Sequence, residues 1–111
     1  MGIENWSDRV VIAHLAADPQ FSEDLQTLHD TANARPVDVV LDFAGVRYIN
    51  SSNIARLLKL RKIVATSGTK LVLCAVDAQV WGAFLVTGLD KVFEFVDSVP
   101  LALASLQIAR T

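Results

Sequence analysis

The stretch from Val37 to Asn53, VDVVLDFAGVRYINSSN, limits what this chain can fold into more than any other part of it. Val37, Val39, Val40, Leu41 and Phe43 form a short apolar run rich in β-branched residues, the pattern of a strand covered on both faces. A strand of that kind needs a layer on each side, so it reads as the centre of a sheet. Gly45 then permits a turn, and Tyr48 and Ile49 return to apolar surroundings. Asn50, Ser51 and Ser52 all belong to the class that caps helix N-termini. The spacing predicts strand, turn and a helix from about Ser52 to Thr66, with the serine hydroxyls beside backbone N–H groups that have no intrahelical acceptor.

The rest of the chain alternates strands with helices around that unit. Arg9 to Leu15 is strand-like, and Trp6 is expected to anchor a short edge strand before it, making an N-terminal hairpin. Asp18 and Pro19 open a first helix, in which Phe21, Leu25, Leu28 and Ala32 recur at helical spacing along one stripe, and Pro36 closes it. The helix after the serines carries Ile54, Leu57, Leu58, Leu60, Ile63 and Val64 over a wide arc, either buried between neighbours or partly a partner surface. Ser67 and Gly68 stop it, and Leu71 to Val76 is a further buried strand. Asp77 caps a helix with Val80, Trp81, Phe84 and Leu85, Trp81 and Phe84 packing on the sheet, and Gly88 ends it. Val92, Phe93, Phe95 and Val96 form a last strand. Ser98 and Pro100 open a final helix supplied with Leu101, Leu103, Ala104, Leu106 and Ile108. This order predicts a single α/β layered domain over residues 1–111, with a mixed, mainly parallel sheet of about four to five strands, an antiparallel N-terminal edge and about four helices. Phe43, Leu73 and Leu85 are the expected centre of the core.

With 52% hydrophobic residues and a mean hydropathy of +0.40, a membrane protein has to be considered. Charged residues break the apolar runs at strand-like lengths, and none approaches the roughly 18 residues of a spanning helix. Met1 to Trp6 lacks the basic-then-apolar pattern of a signal peptide, so a cytoplasmic protein without direct membrane insertion is expected. A net charge of -2 does not suggest nucleic acid as a partner. Cys74, the one cysteine, lies in the apolar run LVLCAV, the setting of an inert buried thiol, and no ligand set for a metal or cofactor is present. Arg56, Lys59, Arg61 and Lys62 put four cations on residues 56–62, as a solvated helix face or as the rim of a docking surface for an acidic partner. His14 and His29 are expected to be structural or exposed. Ser51 would need a base to act as a nucleophile, and no motif links either histidine to it. No enzyme activity is expected.

Three segments in order, LDFAGVRYINSSNIARLL, GTKLVLCAV and FLVTGLDKVFEFVDS, resemble the STAS domain of anti-sigma factor antagonists. In that family an aspartate-ending strand leads into an Asp-Ser-Ser/Thr-Gly turn and a helix. The resemblance implies a regulatory binding module that docks an anti-sigma factor or serine protein kinase and is switched by phosphorylation of the first serine, here Ser51, with Ser52 as second choice. Asp42 matches the strand aspartate, with bonding to backbone donors in the turn as its expected task and a phosphate-transfer role as the alternative. Asn50 stands where the family has Asp, keeping a capping oxygen but losing a charge. Asn53 stands where it has Gly, adding a side chain where another backbone approaches closely. The implied partner surface comprises Tyr48, Ile54, Arg56, Leu57 and Lys59. The alternative is a constitutive docking subunit of a transport ATPase or sensory assembly, without a phosphorylation switch.

Overall fold

The computed structural model describes residues 2–110, apart from the side chains of 108–110. The described residues form five strands and four helices: β1 (Ile3–Asn5), β2 (Val10–His14), α1 (Gln20–Ala34), β3 (Asp38–Asp42), α2 (Ser51–Thr66), β4 (Leu71–Cys74), α3 (Ala78–Val86), β5 (Glu94–Val96) and α4 (Val99–Arg110). The sheet order is β1-β2-β3-β4-β5. β1 runs antiparallel to β2, and every other pair is parallel. The α/β architecture and its antiparallel N-terminal edge agree with the sequence reading.

Strand alternation divides the core into two layers. Val11, Ala13, Val39, Leu41, Leu71 and Leu73 face α1 and α2. Val10, Ile12, Val40, Val72 and Cys74 face the other way, where Ala102 and Leu106 of α4 cover them. β3 is therefore covered on both faces, which is why its sequence is almost continuously apolar. The α1 stripe of Phe21, Leu25, Leu28 and Ala32 is buried throughout. Phe21, Phe43, Phe84, Phe93 and Phe95 meet edge to face with centroids 5.2–6.5 Å apart, and Trp81 meets Phe95 at 4.9 Å. Burying such aromatic area supplies much of the folding drive.

Four details differ from expectation. Phe43 and Leu73 are fully buried but Leu85 is 50% exposed, because Val80 and Phe84 already define the inward stripe of α3 and the next residue turns about 100° away from it. Trp6 does not anchor the edge strand; it lies beyond β1 in the turn to β2, half in solvent. The last strand begins at Glu94 rather than Val92, since a 3-10 turn over Leu89–Lys91 draws the Val92 and Phe93 N–H groups onto the Leu89 carbonyl. α2 starts at Ser51, so Asn50 is the cap and neither serine is. The side chain of Ile108 lies outside the described residues.

Candidate functional site

The turn that follows β3 is fixed at both ends. Asp42 Oδ1 accepts the Ala44 N–H at 2.9 Å, the backbone bonding expected of it. Gly45 packs so closely on the chain just after β2 that a Cβ there would sit 2.8 Å from the Leu15 carbonyl oxygen, which leaves room for glycine only. Val46 and Ile49 are buried and pin the loop, while Arg47 and Tyr48 face solvent, Tyr48 with 70% of its surface.

At the head of α2 the two asparagines form a reciprocal capping box. Asn53 N–H donates to Asn50 Oδ1 at 2.8 Å, and Asn50 N–H donates to Asn53 Oδ1 at 2.9 Å. Asn53 is 3% exposed. Its remaining donor, Nδ2, reaches Asp18 Oδ2 at 3.0 Å, and Asp18 Oδ1 accepts the Ser22 N–H and O–H at 3.0 and 2.6 Å. One carboxylate thus serves the heads of α1 and α2 together. The Ser22 hydroxyl, then Asn53, and more weakly the charge of Arg56 hold the Asp18 carboxyl below the ordinary carboxylate range. The Asn53 side chain points inward and spends its amide on Asn50 and Asp18.

Ser51 and Ser52 occupy the first two positions of α2, both exposed. Their backbone N–H groups have no preceding helical carbonyl to bond, so this end favours negative charge. Of the other residues assigned to a partner surface, Tyr48 and Lys59 are exposed and Ile54 and Arg56 are partly so. Leu57 is fully buried. It shares the inward stripe with Asn53, Leu60 and Val64, so it belongs to the core and is removed from the surface. Leu58, read as part of the same apolar arc, is instead 38% exposed beside Lys59. The four cations of α2 also divide: Arg61 Nε donates to the Val92 carbonyl at 3.1 Å, whereas Lys59 and Lys62 stand in solvent. A cleft of about 330 Å³, lined by Asp18, Phe21, Arg47, Tyr48, Asn50 and Asn53 among others, opens beside the turn.

The sequence reading missed the bonding of His14. Its Nδ1 is 2.7 Å from Asp42 Oδ2 and its Nε2 is 3.2 Å from Glu4 Oε1. The Asp42 bond first, and then the Glu4 bond, raise the histidine above its ordinary pKa. The parallel register that sets His14 opposite Asp42 is a long-range pairing with no local signal. His14 is therefore committed to carboxylates, His29 lies 3.8 Å from Asp30, and neither is bonded to Ser51. Burial pushes the Cys74 thiol up to about 12, which keeps it protonated and inert. Among the described residues no three His, Cys, Asp or Glu side chains are placed to hold a metal ion. No described helix is long and apolar enough to cross a membrane.

The STAS domain family model matches residues 9–102. No curated protein sequence matched the chain. Among solved structures, a candidate anti-sigma factor antagonist of Thermotoga maritima superposes with a TM-score of 0.79 at 19% identity, over 91% of this chain and 90% of that one. An anti-sigma-factor antagonist (STAS) domain protein from Planctomyces limnophilus gives 0.77 at 22% identity, over 88% and 91%. A sulfate transporter family protein from Wolinella succinogenes gives 0.76 at 19% identity, over 93% and 88%. At these identities the likeness is one of fold.

Proposed function

Since this chain belongs to the STAS domain family, we propose that it is a non-enzymatic regulatory binding module of the cytoplasm, acting as an anti-sigma factor antagonist. Its docking surface comprises Tyr48, the exposed serines and the outer face of α2 with Ile54, Arg56, Leu58 and Lys59. Its partner is an anti-sigma factor with serine kinase activity, and phosphorylation of Ser51 releases that partner. The observation that carries this reading is the placement of Ser51: an exposed hydroxyl at the first position of a capped helix, flanked by the protruding Tyr48 and a partly apolar, cationic helix face. Phosphate is tolerated there in the free protein because helix N–H groups and dipole favour it. In a desolvated interface the same charge becomes a cost.

The test is mass spectrometry of the protein isolated from its own cells, together with the affinity of the co-isolated partner for wild type, Ser51→Ala and Ser51→Asp. Phosphate at Ser51, a competent Ser51→Ala and a weakened Ser51→Asp are the expected results. Phosphate at Ser52 alone overturns the residue assignment. A second reading, a constitutive docking subunit of a transport or sensory assembly, is favoured by the neutral Asn50 before the serine and fits the resemblance to a transporter-family fold. Absence of phosphate at either serine, with tight partner binding retained, selects it.

A further inference from the structure

We propose that Asp18 is the electrostatic partner of the Ser51 turn: a carboxylate that enters with α1, is held at the head of α2 by the buried Asn53 amide, and sets the charge that a phosphate on Ser51 can carry. This rests on reading Ser51 as the phosphate acceptor. Asn50 is neutral and the first turn of α2 contains no acid; Asp42 is bonded at the far end of the loop to Ala44, and the cations near Asp18 are Arg56 of α2 and Arg47 in the same cleft. The anion beside Asn53 comes instead from a distant part of the chain. Asn53 is 97% inaccessible, its Oδ1 is taken by the Asn50 N–H and its Nδ2 by Asp18 Oδ2, so the amide is a rigid arm with both ends in use. Ser22 grips the other carboxylate oxygen with its N–H and O–H. Asp18 is held from two helices at once.

The consequence is competition for one positive pole. Asp18 is bonded by the Asn53 amide at the head of α2, the end of the helix where a Ser51 phosphate would also lie. A doubly charged phosphate there is opposed by the carboxylate more than a singly charged one, so the second ionisation of phosphoserine is pushed up. That ionisation falls near pH 6 in the absence of neighbours. Asp18 thus acts through the phosphate as a positioning residue, tuning how much negative charge the switch presents near neutrality.

The experiment uses the whole chain with phosphoserine installed at position 51 during synthesis, so it needs no kinase, and follows the ³¹P chemical shift against pH. Asp18→Asn should lower the second phosphate pKa by a few tenths of a unit at low salt, the order expected when one unit charge is removed across water near the phosphate. Asp30→Asn, the same charge change farther along α1, should leave it unmoved. Raising salt past about 0.15 M should shrink the difference, as it does for exposed charges. Equal titrations of the parent and Asp18→Asn overturn the proposal. Should Asp18→Asn loosen the fold, the unsubstituted chain answers by reciprocity: the Asp18 carboxyl pKa, read by ¹³C NMR, must rise when Ser51 carries phosphate, and an unchanged value is equally fatal. A lack of phosphate on Ser51 in cells would sink the switch function without touching these titrations. Flat titrations would sink only the role of Asp18.

Discussion

Replacing Asn53 by Ala is expected to destabilise the protein by about 2 kcal/mol, and the opposing contributions can be weighed one at a time. Losing Oδ1 leaves the Asn50 N–H, now satisfied at 2.9 Å in a part-buried setting, without an acceptor, which costs about 1–2 kcal/mol. Losing Nδ2 releases Asp18, but that carboxylate is exposed and rehydrates, so the charge-assisted bond counts for about 0.5 kcal/mol. The void left by a side chain only 3% exposed adds about 1 kcal/mol. Against these, alanine is the better helix former by about 0.6 kcal/mol. With a urea slope of about 1–2 kcal/mol/M the unfolding midpoint should fall by about 1–2 M. Asn53→Gly, which lacks even the propensity gain, should lie lower still. A cycle with Asn50→Ala should show coupling of at least about 0.5 kcal/mol, because each side chain bonds the other's backbone. An Asn53→Ala midpoint within error of wild type would refute the account of Asn53 as a structural arm.

Two further outcomes test separate parts of the structure. Leu57→Ala should cost about 2–5 kcal/mol and Leu58→Ala no more than about 0.5, since one is fully buried and the other lies at the surface; comparable losses in urea titrations would place the inward stripe of α2 wrongly. His14 has a raised pKa, from Asp42 first and Glu4 second, so its stabilisation is complete below the unfolded value of 6.5 and is lost as pH rises through the folded value. The stability of wild type over His14→Gln should therefore be largest below pH 6.5 and shrink as pH rises through the raised folded value. The effect should be small because 47% of the side chain is in solvent; a difference that grows with pH would contradict the assignment.

The fold was legible because its signals are local. The β-branched run of β3, the α1 stripe and the stops at Gly68 and Gly88 each follow from residues close together in the chain. Leu57 and Leu58 show where that legibility ends: a broad apolar arc does not say which of two adjacent leucines faces the sheet, because helix rotation is set by packing against distant partners. Asn53 makes the same point for the site. Its replacement of glycine was visible, but its inward rotamer depends on Asp18, a residue brought near only by the docking of α1 beside α2. His14 and Asp42 likewise meet through strand register.

In this sheet spatial order and chain order coincide. No strand has to be inserted between two that are already paired, so the sheet can grow by addition at one edge as the chain leaves the ribosome, each new strand docking on the last one made. The two faces do not close together. α1 and α2 emerge among the strands and cover one face early, whereas the layer of Val10, Ile12, Val40, Val72 and Cys74 waits for α4, which follows every strand that it covers. A nascent chain lacking α4 would hold a complete sheet with one greasy side bare, the kind of surface that recruits chaperones or sticks to its neighbours.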